Sequence, residues 1–231
     1  MTKTTNARIA GITFLIYIAI GITGMVLQSQ ATVGGTITAK LASISQHVLQ
    51  MRLVLICGLL EPACAIVLAA TLYSITRDVD RDLALLGLLF RFGEGLIGAI
   101  ASRSTLESLW LVTLGATGSP NHATVEALGT YVLQAPRGGA DAIFFAVGST
   151  LFSFLLLRGR KIPVILGWLG VGASGLLAVA LPMQFAEFLS ARIVAFLWIP
   201  MALYEVPLGV WLVTKGVTSP RTRQEQTPAR V

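Results

Sequence analysis

The chain has 231 residues, 55% of them hydrophobic and only 12% charged, with a mean hydropathy of +0.78. A soluble domain carries about 25% charged residues, so this composition excludes a water-soluble globule and points to a membrane protein. The net charge of +6 does not point to nucleic acid, because the basic residues fall in short clusters between apolar runs rather than on a soluble face with aromatics.

A hydrocarbon core about 30 Å thick needs roughly 20 apolar residues per helix. Six runs meet that length in chain order: about 8–28, 50–76, 83–103, 139–157, 163–181 and 191–214. The fold expected is all-α, a polytopic bundle of six transmembrane helices forming one domain over 1–216, with a disordered cytoplasmic tail over 217–231. The first run follows Lys3 and Arg8, as a signal peptide would. Its apolar core of near 19 residues exceeds the usual 7–15 of a signal segment, so it reads as a retained span.

Between the first two spans, Ile37, Leu41, Ile44 and Val48 follow helical spacing and predict an amphipathic outer segment. The loop "RDVDRD" (77–82) forces the second and third spans to be antiparallel neighbours, and "RGRKIP" (158–163) does the same for the fourth and fifth. Residues 105–118 are too short to span alone and read as interfacial, re-entrant or a protruding end of the third helix. After Ser119-Pro120, a plausible cap and first helical residue, Val125, Leu128, Tyr131 and Ala135 predict a second amphipathic outer segment.

With six spans and both ends cytoplasmic, the inner side collects Lys3, Arg8, Arg77, Arg81, Arg158, Arg160, Lys161, Lys215, Arg221, Arg223 and Arg230. The outer side keeps only Lys40, Arg52, Arg103, Arg137 and Arg192, which is the positive-inside pattern. A seventh span at 105–118 would reverse the position of the "RGRK" cluster.

The polar residues inside the spans carry the functional argument. Arg91 and Glu94 lie three residues apart in "LLFRFGEGL", where hydrocarbon is expected. A central arginine costs about 2.5–3.5 kcal/mol on insertion scales, so it persists where it faces the bundle interior and finds partners. Glu61 folds back to within about a turn of Glu94, and Glu205 falls near mid-span between Pro200 and Pro207. Three acids against one arginine cannot all ionise cheaply in a low-dielectric interior. Arg91, Glu94, Glu61 and Glu205 are therefore the candidate ligand-binding residues.

Other features read as packing. Cys57 and Cys64 are seven residues apart, roughly 10 Å along a helix, too far for a disulfide and unsupported as metal ligands. The only histidines, His47 and His122, fall in outer segments, so no span offers haem a ligand, and no cofactor is expected. "GVGASG" (170–175) matches a dinucleotide fingerprint but has no strand before it. With Gly167, Gly170 and Ser174 it reads as a small-residue stripe, as do Gly87, Gly95 and Gly98 in the third span. There is no G-x-S-x-G, H-E-x-x-H or P-loop to suggest an enzyme.

The stretches "ARIAGITFLIYI", "LALLGLLFRFGEG", "FFAVGSTLFSFLLLRGRKIPVILGWLGVGASGLL" and "VWLVTKG" resemble the bacterial integral-membrane family catalogued as domain of unknown function 4386. The resemblance runs from Ala7 to Gly216. It implies a multi-pass helical protein of the bacterial cytoplasmic membrane and brings no activity with it. Arg91 followed by Glu94 looks like part of that family pattern.

Two functions of different class stay open. One is binding or transport at a midplane site, with Arg91 holding an anionic group and Glu61, Glu94 or Glu205 exchanging protons or binding a cation. The other is a non-catalytic membrane component whose charges only lock the helices and whose outer segments dock a partner. A chain this short would be expected to transport only as a homo-oligomer.

Overall fold

In the computed structural model, which describes residues 2–116, 121–134 and 139–217, every predicted span is helical and no described residue is in a strand. Six helices are long and apolar enough to cross a membrane: α1 (Lys3–Ala31), α3 (Val48–Thr76), α4 (Arg81–Ala101), α7 (Ala140–Arg158), α8 (Val164–Phe185) and α9 (Ala191–Thr214). Three shorter ones, α2 (Ile37–Gln46), α5 (Arg103–Ala116) and α6 (His122–Gln134), gather at one end. The tail from 218 and the Ser119-Pro120 cap lie outside the described residues.

The spans close into a ring. α1 packs on α3, α3 on α4, α4 on α7, α7 on α8, α8 on α9, and α9 returns to α1. Large apolar side chains such as Ile165, Phe196 and Val179 point outward from it, as lipid-facing positions must. Inside, Phe14, Leu68, Leu72, Phe152, Leu155, Leu156, Tyr204 and Leu208 form a continuous core that runs on through Phe145, Leu181 and Val194 toward the opposite end.

Small residues set how closely the ring can draw in. A Cβ on Gly170 of α8 would run into the Tyr204 ring of α9 and come within 2.9 Å of Ser153 Oγ of α7. The Tyr204 hydroxyl lies 2.8 Å from Ser153 Oγ, so three helices meet at a hydrogen bond that only a glycine leaves room for. The stripe of Gly167, Gly170 and Ser174 is buried, as expected.

The connections at the N-terminal end are tied by charge. Asp78 Oδ2, in the turn between α3 and α4, receives Lys3 Nζ and Lys161 Nζ, each at 2.8 Å. Arg158 NH1 reaches Asp80 Oδ2 at 3.2 Å. α7 ends in a Schellman pair, Lys161 N–H to Leu156 O and Arg160 N–H to Leu157 O, with Arg160 in the left-handed region at φ 48°. That turn folds Lys161 back until its side chain is 1% exposed on Asp78. Burial raises the Asp78 carboxyl, but the hydrogen bonds from Lys161 and Lys3 outweigh it and hold the group below the usual carboxylate range. This clamp joins the N-terminus, the α3–α4 turn and the α7–α8 turn.

The opposite end is capped. α2, α5 and α6 pack on one another, with α5 also against α3, around Ala31, Ile44 and Met51 backed by Leu109, Val112 and Leu133. The described residues of 105–118 thus belong to a separate helix, α5, that follows α4 directly after a break at Ser102. One local expectation needs correcting. α6 buries Gly129 and Val132 behind Val125, while Tyr131 is 71% exposed and Leu128 also faces out. The packing register is one residue away from the predicted stripe because the neighbour is another helix of the cap, which selects the small Gly129 against Leu41 and Ile37. At the start of α6 the Asn121 Oδ1 accepts from Thr124 N–H at 2.9 Å.

Two outcomes follow. Gly170→Val should destabilise the protein in detergent by about 1–3 kcal/mol through overpacking, whereas Gly172→Ala, in open space, should leave the melting temperature unchanged or slightly raised. Asp78→Asn should cost about 1–3 kcal/mol at neutral pH by leaving the Lys161 ammonium buried without its acceptor. Because the folded-state pKa of Asp78 lies below its unfolded value, the stabilisation is complete above the ordinary range, about pH 4. Thermal unfolding of the two proteins should therefore converge as pH falls below that range through the lowered folded value.

Candidate functional site

The site is built from the middle of four spans. Arg91 is the eleventh residue of α4, roughly 15 Å along the axis from its start, and is 1% exposed. It fits because α7 presents Gly148, where a Cβ would stand 2.8 Å from Arg91 Cγ. The guanidinium lies between two aromatic rings, its Cζ 4.8 Å from the Phe145 centroid and 5.6 Å from that of Tyr17. Both are within cation–π range.

Arg91 NH1 is 2.9 Å from Glu94 Oε2, one helical turn on. The contact is an ion pair without hydrogen-bond alignment, so Nε, NH1 and NH2 are all buried with no hydrogen-bond acceptor. Glu94, 6% exposed, takes its hydrogen bond elsewhere: the Tyr17 hydroxyl of α1 donates to Oε1 at 2.8 Å. Glu205 of α9 is also 6% exposed. It lies within electrostatic range of Arg91 and Glu94, and its Oε1 has no hydrogen-bond partner. One guanidinium thus stands among two buried carboxylates and two rings.

Above this pair, toward the cap, a cavity of about 420 Å³ opens among α1, α3 and α4, with α5 and the start of α7 at its rim. Tyr17 and Glu94 are at its deep end, and Glu61, Cys57 and Ser102 lie along its wall. From Glu94 to Ser102 is eight residues, roughly 12 Å along α4. Below Glu94 the apolar core closes the ring.

Pro62 helps shape this wall. A proline in a helix leaves the carbonyl four residues earlier without its donor, here Gly58 O. Ser102 Oγ donates to that oxygen at 2.6 Å. The break between α4 and α5 therefore supplies the donor that α3 lacks, and Glu61 is not needed for it. Glu61 makes no hydrogen bond or ion pair with any described residue. Its Oε1 rests beside Gly21, where a Cβ would be 2.8 Å away.

The four residues expected from sequence separate into two groups. Glu61 and Glu94 line one cavity, while Arg91 sits behind Glu94 and Glu205 lies deeper still, neither of them at the cavity wall. Sequence reasoning missed Tyr17, Cys57 and Asp141, all of which line the cavity. Asp141 is in the first turn of α7, where an acid reads as a favourable helix-dipole charge. Its position opposite Glu61, close enough for mutual repulsion, depends on the ring closing. Among the described residues no group of three or more His, Cys, Asp or Glu could hold a metal ion.

The buried charges make a testable set. Arg91→Leu leaves Glu94 and Glu205 uncompensated and should cost about 3–5 kcal/mol of stability. Arg91→Leu with Glu94→Gln should recover part of that loss, a non-additivity readable by thermal unfolding in detergent.

Comparison with known proteins adds the family but no chemistry. No curated protein and no solved structure matches the chain. A family model does match, over residues 9–216, which takes in all six spans from Ile9 onward and every residue of the site. The chain belongs to the family described as domain of unknown function (DUF4386).

Proposed function

We propose that this multi-pass membrane protein binds a small molecule or ion in the cavity between α1, α3 and α4. Glu61 and Glu94 are its contacts there, with Arg91 and Glu205 as the buried charges beneath. The observation that carries the reading is a cavity that reaches a nine-tenths buried, ion-paired carboxylate at mid-depth. Ionisable groups at such depth mark ligand or ion pathways. A purely scaffolding role explains Arg91 and Glu94 but gives Glu61 nothing to hold. An anion held by Arg91, the arrangement expected from sequence, is less well supported, because Glu94 stands between the guanidinium and the cavity.

The charge pattern supports one orientation of the protein. Lys3, Arg8, Arg77, Arg81, Arg158, Arg160, Lys161 and Lys215 lie at the clamp end, and Lys40, Arg52, Arg103 and Arg192 at the cap end. In our reading the clamp and both termini are cytoplasmic in a bacterial inner membrane, and the cavity opens outward. Passage to the other side requires the apolar core to part. α9 is the element suited to that motion, since Pro200 and Pro207 flank Glu205 and each removes one helical hydrogen bond.

The two native cysteines provide the test, because Cys57 lines the cavity and Cys64 does not. In intact cells carrying the Cys64→Ala protein, a membrane-impermeant maleimide added outside should label Cys57. Replacing Ala101 at the cavity rim by Trp should slow labelling at least about tenfold by blocking access. Labelling only in inverted vesicles would overturn the orientation. No labelling in either preparation would overturn the cavity as a binding site.

A further inference from the structure

We propose that the cap ends of α3 and α5 form a docking face for the membrane surface, with Leu49, Leu53, Leu106 and Trp110 seated in the phospholipid headgroup layer. This surface is separate from any occupant of the cavity and stands whichever way the protein is inserted. Along α5, Arg103, Leu106, Trp110 and Thr113 are exposed, three or four residues apart and therefore on one face. They prolong the lipid-facing stripe of α4, whose last members are Leu96 and Ile100. Ser102 keeps helical backbone angles, φ −61° and ψ −19°, so the stripe carries across the break. The other face of α5 is covered: Ser108 and Leu111 are buried, and Leu109 and Val112 pack on the cap core. α3 carries a second stripe, Leu60, Ile56, Leu53 and Leu49, which stays exposed up to its first turn.

Helix register gives the heights. The Ser102 hydroxyl on Gly58 O sets the α4–α5 junction level with Gly58. From there α5 climbs beside α3 toward the cluster around Met51. Trp110, eight residues past the junction, is roughly 12 Å farther out, level with Gln50 in the first turn of α3. From that level to Arg77, at the other end of α3, is roughly 40 Å of helix. A bilayer is about 30 Å thick across its hydrocarbon and about 40–45 Å with both headgroup regions. With Arg77 at one surface, Leu106 reaches the far hydrocarbon boundary and Trp110 the headgroups beyond it. Tryptophan is favoured at that depth, where its ring lies among lipid and its N–H meets water.

The charges fit the same depth. Arg52 and Arg103 are exposed among these apolar residues, where lipid phosphates can accept from them. Arg103 Nε lies 2.8 Å from Glu107 Oε1, one turn farther from the midplane, as a side chain turned away from hydrocarbon should be. A re-entrant α5 would instead turn back toward the midplane and leave the Met51 cluster on which it packs. A cap held clear of the membrane would put Leu49, 70% exposed, and Trp110, 59% exposed, into water. The first turn of α5 also gives Ser104 and Thr105 to the cavity, so in this arrangement the cavity rim lies at the membrane surface.

The test is fluorescence quenching in vesicles of phosphatidylcholine that carries a nitroxide either on the headgroup or near the end of an acyl chain. Both leaflets hold the labelled lipid, so the direction of insertion does not matter. The emission that Trp110→Phe removes is the Trp110 component, and at this exposed position the substitution should leave the fold intact. That component should be quenched at least about twofold more by the headgroup label than by the deep one. Adding Leu49→Trp to the Trp110→Phe protein should restore a component with the same preference. A Trp110 component quenched better by the deep nitroxide would place α5 in hydrocarbon and overturn the proposal. One quenched by aqueous iodide but by neither lipid would place the cap in water. One that nothing quenches would place a second copy or another protein on this face, and either result overturns the proposal too. A Leu49→Trp component without headgroup preference would overturn the part given to α3.

Discussion

A guanidinium at mid-depth in a membrane helix has to be enclosed, and the enclosure of Arg91 organises much of this fold. Its charge must be kept from hydrocarbon by other groups, and here those groups come from three helices besides its own. Glu94 is one turn along α4, Tyr17 comes from α1, Phe145 from α7 and Glu205 from α9. Gly148 of α7 gives the side chain room to lie flat. The six spans close into a ring in which α4 can present Arg91 to all of these neighbours at once.

The arginine is satisfied by charge and by aromatic faces rather than by hydrogen bonds, since none of its guanidinium nitrogens has an acceptor. Such an arrangement is soft. Salt bridges with aligned hydrogen bonds fix geometry tightly, whereas a cation between two rings and two carboxylates can shift its weight among them. Glu94 is the point where this buried group meets the cavity. Glu205, flanked by two prolines, brings α9 into the same group.

Much of this was legible in the chain itself because membrane folding is governed by a few strong constraints. Apolar run length gave six spans to within a few residues at most ends, and the two charged loops gave the antiparallel neighbours. The inward placement of Arg91, Glu94 and Glu205 follows from the cost of exposing them to lipid. Other features depend on tertiary partners that periodicity does not reveal. The register of α6 is set by Leu41 and Ile37 pressing on Gly129. Asp141 and Tyr17 acquire a role only once α7 and α1 are brought to the same cavity as Glu61. The donor for Gly58 O comes from Ser102, forty-four residues along the chain, and no local rule anticipates it.

At the centre of this account is a water-accessible cavity inside the ring, separated from lipid by the spans that line it. Spin labels distinguish the two environments through collision with a polar nickel complex or with oxygen dissolved in the bilayer. A label on Cys57 in reconstituted protein should respond more to nickel than to oxygen. A label at Leu96, which is 48% exposed on the outer surface of α4, should do the reverse. An oxygen-dominated signal at Cys57 would place that wall against acyl chains and contradict the account.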